Sequence, residues 1–419
     1  MGFQQGLSGL NASSKSLEVI GNNIANANTY GAKSSRAEFA DLYANALGGS
    51  QNSIGIGVSV AAVAQQFTQG TITATDSPLD LAINGSGFFE VSDAKGGVSY
   101  TRNGQFKVDR TGYIVSDQGN KLMGYAADAT GTIVAGASTA LQMPTAGITP
   151  AVTTKVDMEL NLDARLGVTL PAAGAPIDFA DPTTYNNATS QTVYDAKGQS
   201  VALTYYFQKS ATDTWNVYVS ANGTPIKTAG GNPAASTTIT FPTNGGAPTA
   251  PVGTVPLDIP AVTNSAGALT VPITGVALSL SGATQYGSQF GVTDLVQDGY
   301  AAGQLIGVQV ENNGIISARY SNGQTKPAGQ LELATFHNPQ GLQPLGGNAW
   351  ARSFTSGDPL VGVPGDGNIG VLQAGALEES NVDLTAELVN MITAQRTYQA
   401  NAQTIKTQDQ ILQTIVNLR

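Results

Sequence analysis

Residues 3–24, FQQGLSGLNASSKSLEVIGNNI, and residues 384–416, LTAELVNMITAQRTYQANAQTIKTQDQILQTIV, carry the same apolar step at opposite ends of the chain. Phe3, Leu7, Leu10, Leu17 and Ile24 alternate at intervals of four and three, with Ser14 and Gly21 as weak positions. Leu384, Leu388, Met391, Tyr398, Ala402, Ile405, Leu412 and Val416 return to that step, interrupted by Gln395 and Asp409. A helix with such a seam cannot bury it alone and needs a partner helix. The ends are expected to pair with each other or with the ends of other copies. An apolar stripe usually means packing within one molecule; terminal placement, similar lengths and a low-charge surface together favour assembly.

The first helix is expected over about residues 3–28, with Tyr30-Gly31 as its stop. Ser380, three residues before Asp383 and ahead of an apolar run, reads as the cap of the second. At 1.5 Å per residue these helices would be about 40 Å and about 50 Å long. Gly21 and its neighbouring asparagines weaken the first helix, so the terminal helices are expected to order on assembly.

Between the ends the period changes to two. Leu79, Leu81 and Ile83 precede Asn84-Gly85, and Phe88, Phe89 and Val91 follow. Tyr100, the Asn103-Gly104 pair, and Phe106 with Val108 read as a hairpin. Val201 to Phe207 and Trp215 to Val219 alternate in the same way, and the pattern resumes from about 290. The expected fold is mainly β with terminal α-helices. Residues 1–31 and 380–419 would form a coiled-coil-like helical domain, with 32–75 and 361–379 connecting it. Residues 76–145 and 290–360 would form one all-β domain, and 146–289 a second nested inside it.

Composition narrows function. Only 11% of the 419 residues are charged, against an ordinary value near ~25%, and polarity comes from amides, hydroxyls and 50 glycines. A formal net charge of −10 leaves no basic stripe for nucleic acid or an anionic membrane surface. Zero cysteines exclude disulfides and thiolate chemistry. No apolar run reaches the ~20 residues of a membrane span, and the first residues lack the pattern of a cleaved secretory signal. His337, the one histidine, lies in Phe336-His337-Asn338-Pro339 and reads as a turn residue rather than a catalytic base. Asp109, Asp117, Asp163 and Asp195 sit beside turn residues, where aspartate bonds its own backbone. The glycine-rich runs at 84–89 and 365–370 match no phosphate or calcium loop. No catalytic residue, cofactor or metal site is expected.

Asn22, Asn23, Ile24, Ala25 and Asn26, continuing to Gly31 and Lys33, resemble the amino-terminal signature of the bacterial flagellar rod, hook and hook-associated proteins. Ser380, Asn381, Val382, Asp383 and Leu384, with Gln395 and Arg396, are similar to that family's carboxy-terminal signature. Leu81 to Phe89 and Tyr100 to Phe106 resemble its first β domain, and Ala32 departs from the pattern where an aromatic is usual. The insert at 146–289 sets the chain apart from distal rod members. The resemblance implies a helical homopolymer, the curved hollow tube of the flagellar hook, with terminal helices lining its channel. It also implies a rod protein, hook cap, hook–filament junction protein and export apparatus as partners, and an extracellular location reached without a cleaved signal. Phe39 and Tyr43 resemble a short export element; a plain apolar pair on a helical turn explains them equally well. A distal rod protein with an insertion and a secreted β-rich adhesin or glycan-active protein are the competing readings.

Overall fold

The computed structural model describes residues 2–42, 57–128, 130–134, 136–169, 177–264 and 266–417. The chain is mainly β with a helix near each end, and it divides into two compact units. The first comprises residues 1–145, 307–319 and 325–419; the second comprises 146–306 and 320–324.

In the first unit, α1 (Gly2–Ala25) leads through a turn into the hairpin of β1 (Ser35–Leu42) and β2 (Gly57–Gln65). The connecting segment therefore includes an antiparallel ladder running from Ser35↔Gln65 to Leu42↔Gly57, with a register shift between Glu38 and Phe39. Next, β3 (Ile72–Ala74) pairs with Ala376–Glu378, and β4 (Leu81–Asn84) pairs with Val371–Ala374. These pairings return the chain to its starting edge, so α2 (Leu384–Asn417) leaves beside α1. The buried strand β5 (Phe88–Ser92) lies between β6 (Val98–Thr101) and the strands Lys121–Ala126 and Leu333–Thr335. On this sheet Phe67, Phe88, Tyr100, Phe336 and Trp350 meet edge to face at 4.8–6.0 Å, the geometry that aromatic quadrupoles favour. Phe67 thereby fastens the connecting segment to the sheet.

Two local expectations differ from the structure. Tyr100 and Phe106 do not form a hairpin: β6 pairs with β5, and Phe106–Val108 pairs with Ile114–Ser116 across a turn at Gly112, φ +89°. Gly104 instead marks a close approach, because a Cβ there would strike the Leu81 carbonyl, and the Leu81 N–H donates to Gly104 O at 3.0 Å. The C-terminal helix is capped by Asp383 rather than Ser380. The Asp383 carboxylate accepts from the N–H groups of Thr385 and Ala386 at 2.9 and 3.1 Å, satisfying donors that the first turn leaves free.

The second unit is a β sandwich with one continuous core. One sheet orders Thr254–Ile259, Ile273–Ser279, Lys155–Asn161 and Gly291–Gln297; the other is built on Asn187–Tyr194, Ser200–Ala211 and Thr214–Ala221. Val156, Met158, Leu257 and Val276 from the first sheet join Tyr205, Phe207 and Trp215 from the second in one buried cluster. The strand Gly291–Gln297, expected in the β domain of residues 76–145 and 290–360, instead pairs antiparallel with Lys155–Asn161 in this unit. The aspartates inside Asp-x-Thr/Lys-Gly turns shape loops here and in the first unit. Asp109 accepts from Thr111 and Tyr113 N–H, and Asp195 from Lys197 and Gln199 N–H.

Candidate assembly site

Small residues bring α1 and α2 together. The helices run antiparallel: Asn23 Nδ2 donates to Glu387 Oε1 at 3.0 Å near one end, and Gly6 faces Ile405 at the other. A Cβ added to Gly9 would lie 2.8 Å from Asn401 Nδ2, and one added to Gly6 would lie 3.0 Å from Ile405 Cγ1. Ser13, next on the same step, is buried and donates to Gly9 O at 2.8 Å. Helix axes approach closely where side chains are short, so this stripe forms the seam within one chain.

The apolar step read from sequence thus contributes only in part to the intramolecular seam. Of its C-terminal members, Ile405 faces α1 and Met391 is half-buried, while Leu384, Leu388, Tyr398, Leu412 and Val416 are exposed, the last at 72%. Val389, Ile392 and Ile411, outside that step, widen the exposed apolar surface. On α1, Phe3 and Leu7 are exposed, and Leu10, Leu17 and Ile24 are half-buried. The cause is geometric: both stripes have the same period, and the pair closes along the one without bulk. With 34 residues against 24, α2 also extends past α1, leaving Leu412 and Val416 without an α1 residue opposite. A cavity of about 670 Å³ lies between the helix pair and the hairpin, lined among others by Val19, Ile20, Ala37, Phe39, Val58 and Ala394. Phe39 is exposed on β1, not on a helical turn. Tyr43 lies outside the described residues.

The signature residues fasten these helices to the β unit. Asn23 is buried; its Nδ2 donates to Ser35 O at 2.8 Å, and its Oδ1 accepts from Ser35 N–H at 2.8 Å. Asn381 mirrors it, accepting from Ser34 N–H at 2.7 Å and donating to Gln66 O at 2.7 Å. Below them, Glu378 Oε1 meets Lys33 Nζ at 2.5 Å and Oε2 meets Arg102 at 3.0 Å, all three side chains being almost wholly buried. Lys33 also donates to Thr68 O at 2.8 Å, and Arg102 to Gly85 O at 2.9 Å. Burial depresses the pKa values of Lys33 and Arg102, and Glu378 opposes the depression in both. Gly31, at φ +70°, donates to Glu378 O at 2.8 Å, and a Cβ there would strike the backbone of Asn103. Ala32 is buried beside it.

Asn22 and Ala25 are exposed at the end of α1, and Asn26 donates to Asn22 O at 2.9 Å, closing the last turn. Val382 is half-buried, Ser380 Oγ accepts only distantly from Val382 N–H at 3.4 Å, and Gln395 and Arg396 are exposed on α2.

Matches to known proteins fall on these same segments. Residues 3–33 match the flagella basal body rod protein family, and 373–418 the flagellar basal body rod FlgEFG protein C-terminal family. Residues 82–172 match the flagellar hook protein FlgE/F/G D1 domain, and 161–300 the flagellar basal body protein FlaE D2 domain. Across 100% of both chains, the sequence is 43% identical to flagellar hook protein FlgE of Salmonella typhimurium. It is 42% identical to that of Escherichia coli over 100% of both chains, and 34% to that of Rhizobium meliloti over 100% of this chain and 98% of the relative. The chain belongs to the flagellar hook protein FlgE family. The crystal structure of Helicobacter pylori flagellar hook protein FlgE2 shares the fold, with a TM-score of 0.54 at 16% identity over 73% of this chain and 100% of that one.

The hook-family boundaries give the anchor a meaning. The N-terminal match ends at Lys33 and the C-terminal match includes Glu378, so the Lys33–Glu378 ion pair joins the two terminal segments to each other. Sequence reading missed Glu378, Arg102 and the Gly6-Gly9-Ser13 stripe. The stripe had a readable signal in its own three-and-four spacing; Glu378 showed only as the first of two acids, Glu378-Glu379, after the short apolar run Ala376-Leu377. His337 is exposed at the end of the strand Leu333–Thr335. Among the described residues no helix is long and apolar enough to cross a membrane.

Proposed function

We propose that many copies of this chain polymerise into the curved, hollow tube of the flagellar hook, a universal joint that passes torque from rod to filament. One observation carries the reading: in a chain of the hook family, the long C-terminal helix keeps a bulky apolar surface uncovered after pairing with α1. In this reading, each copy joins its own helices through Gly6, Gly9 and Ser13. It then seats Leu384, Leu388, Tyr398, Leu412 and Val416, with Phe3 and Leu7 of α1, against helices of its neighbours. Fully burying such a side chain is worth about 1.5–3 kcal/mol, so a few per copy suffice to hold a tube. The helices line the channel and the β units form the outer layers, where a low-charge, amide-rich surface lets copies slide as the tube bends.

The expected neighbours are a rod protein at one end, a hook–filament junction protein at the other, and a hook cap during growth. The tube stands outside the cell, and the flagellar export apparatus delivers the chain, with Phe39 and Tyr43 as the candidate element it engages. The role is structural, with the helical ends as its working parts. Electron microscopy of purified protein after induced polymerisation tests this. Full-length chains are expected to form tubes, and chains lacking residues 1–30 and 381–419 to remain β-rich monomers. Fibres from the doubly truncated protein would remove the ends from the assembly mechanism.

A further inference from the structure

Two buried acids in the first unit stand apart from the assembly machinery. Glu90 lies within β5, before the inserted unit, and Glu332 lies after it, where the chain passes from the strand Thr325–Leu331 to Leu333–Thr335. The pairing of Leu333 with Phe89 and of Ala334 with Phe88 sets an antiparallel register. One further step in that register brings Glu332 opposite Glu90. Opposed residues of such a pair share a face, with Cβ atoms about 4.5–5.5 Å apart. Glu332 is fully buried and Glu90 is 8% exposed. Each keeps one oxygen, Oε2, without a hydrogen-bond partner, while Oε1 of Glu332 accepts from the Ser138 hydroxyl.

Two ionised carboxylates in that position would repel each other and bury unpaired acceptors, both of which are costly. One proton removes the repulsion and turns one orphaned oxygen into a donor for the other. We propose that Glu90 and Glu332 are held together by a single shared proton, forming a proton-operated latch between the chain segments that flank the inserted unit.

The surroundings fit. Tyr100 on β6 is the register partner of Glu90 on its other side, and Tyr125 stands on the strand Lys121–Ala126. Both phenols are pushed above their ordinary value, Tyr100 to about 12, so they face the pair as neutral groups. Arg352 and Asp358, themselves an exposed ion pair, act on Tyr100. Burial pushes Glu90 up to about 7, with the charge of Glu332 adding to the rise. Burial also raises Glu332, and the Ser138 hydroxyl opposes that rise. A carboxyl whose folded value is raised stabilises the fold fully below its unfolded value, and that contribution is lost as pH rises through the folded value. The latch therefore closes in acid and opens as pH climbs from about 4.5 through about 7.

Carbon-detected NMR titration of the full-length protein, labelled at glutamate carboxyls, reads the pair directly, with thermal unfolding between pH 5.5 and pH 8.5 measured alongside. In the wild type one carboxyl of the pair is expected to titrate near neutrality, and the melting temperature to fall as pH rises. Glu332→Gln is expected to move the Glu90 midpoint down toward the ordinary carboxylate range and to flatten the fall in melting temperature. Both wild-type carboxyls titrating below pH 5 would overturn the proposal, whether or not the variant folds. So would an unchanged Glu90 midpoint in folded Glu332→Gln protein. Neither readout requires polymer, so failure here is distinguishable from failure of the hook reading.

Discussion

At the scale of single residues, Glu378 holds more of the first unit together than any sequence signal announced. It pairs with both Lys33 and Arg102, accepts from Gly70 N–H at 2.9 Å, and presents its carbonyl to Gly31. Removing the acid leaves two cations in a nearly dry site, and breaking a buried pair in this way costs about 3–5 kcal/mol. Glu378→Ala is therefore expected to lose about that much stability in denaturant unfolding. The chain has only two tryptophans, and Trp350 belongs to the first unit, so its fluorescence in a Trp215→Phe background is the measurement. An effect below about 1 kcal/mol would mean that water or a rearranged partner takes over the charge. The roles of Asn23 and Asn381 were legible as a signature. Their chemistry was not, because most of their partners are main-chain groups of Ser34, Ser35, Gln66 and Thr68, which any residue type supplies.

At the scale of elements, helix existence and position were readable, and the helix faces were not. Apolar periodicity located α1 and α2 because bulky side chains dominate the pattern, yet the pair closes on Gly6, Gly9 and Ser13. A sequence shows that a stripe needs a cover but not whether the cover comes from the same chain. Leu388→Asp follows from this difference. Leu388 is half exposed in the single chain, so the substitution is expected to change monomer unfolding by no more than about 0.5 kcal/mol while blocking polymerisation. Sedimentation under polymerising conditions, beside a melt of the monomer, checks both halves. The cap gives a second test: Asp383→Ala removes the acceptor for Thr385 and Ala386 and is expected to cost about 1 kcal/mol, with circular dichroism showing fraying of α2. Asn103-Gly104 misled for a related reason, since a glycine needed for a close backbone approach looks the same in sequence as one needed for a turn.

At the scale of the whole molecule, the order of helix, β, inserted β, β, helix was legible from changes of period. The inserted unit's last strand was not, because Gly291–Gln297 finds its partner far back at Lys155–Asn161. Pairing of β3 and β4 with residues 371–378 returns the C-terminal segment to the N-terminal edge, so one molecule presents both helices together. The central claim is a division of labour: small residues join the helices within a copy, and the bulky stripe joins copies. Cryo-electron microscopy of the polymerised full-length protein, at a resolution that shows side chains, tests it most directly. Leu388, Ile392, Leu412 and Val416 are expected under helices of neighbouring copies, with the Gly6–Ile405 and Gly9–Asn401 contacts intact inside each copy. A tube in which that stripe faces open channel, or in which α1 and α2 separate to pair with other copies through their glycines, would contradict it.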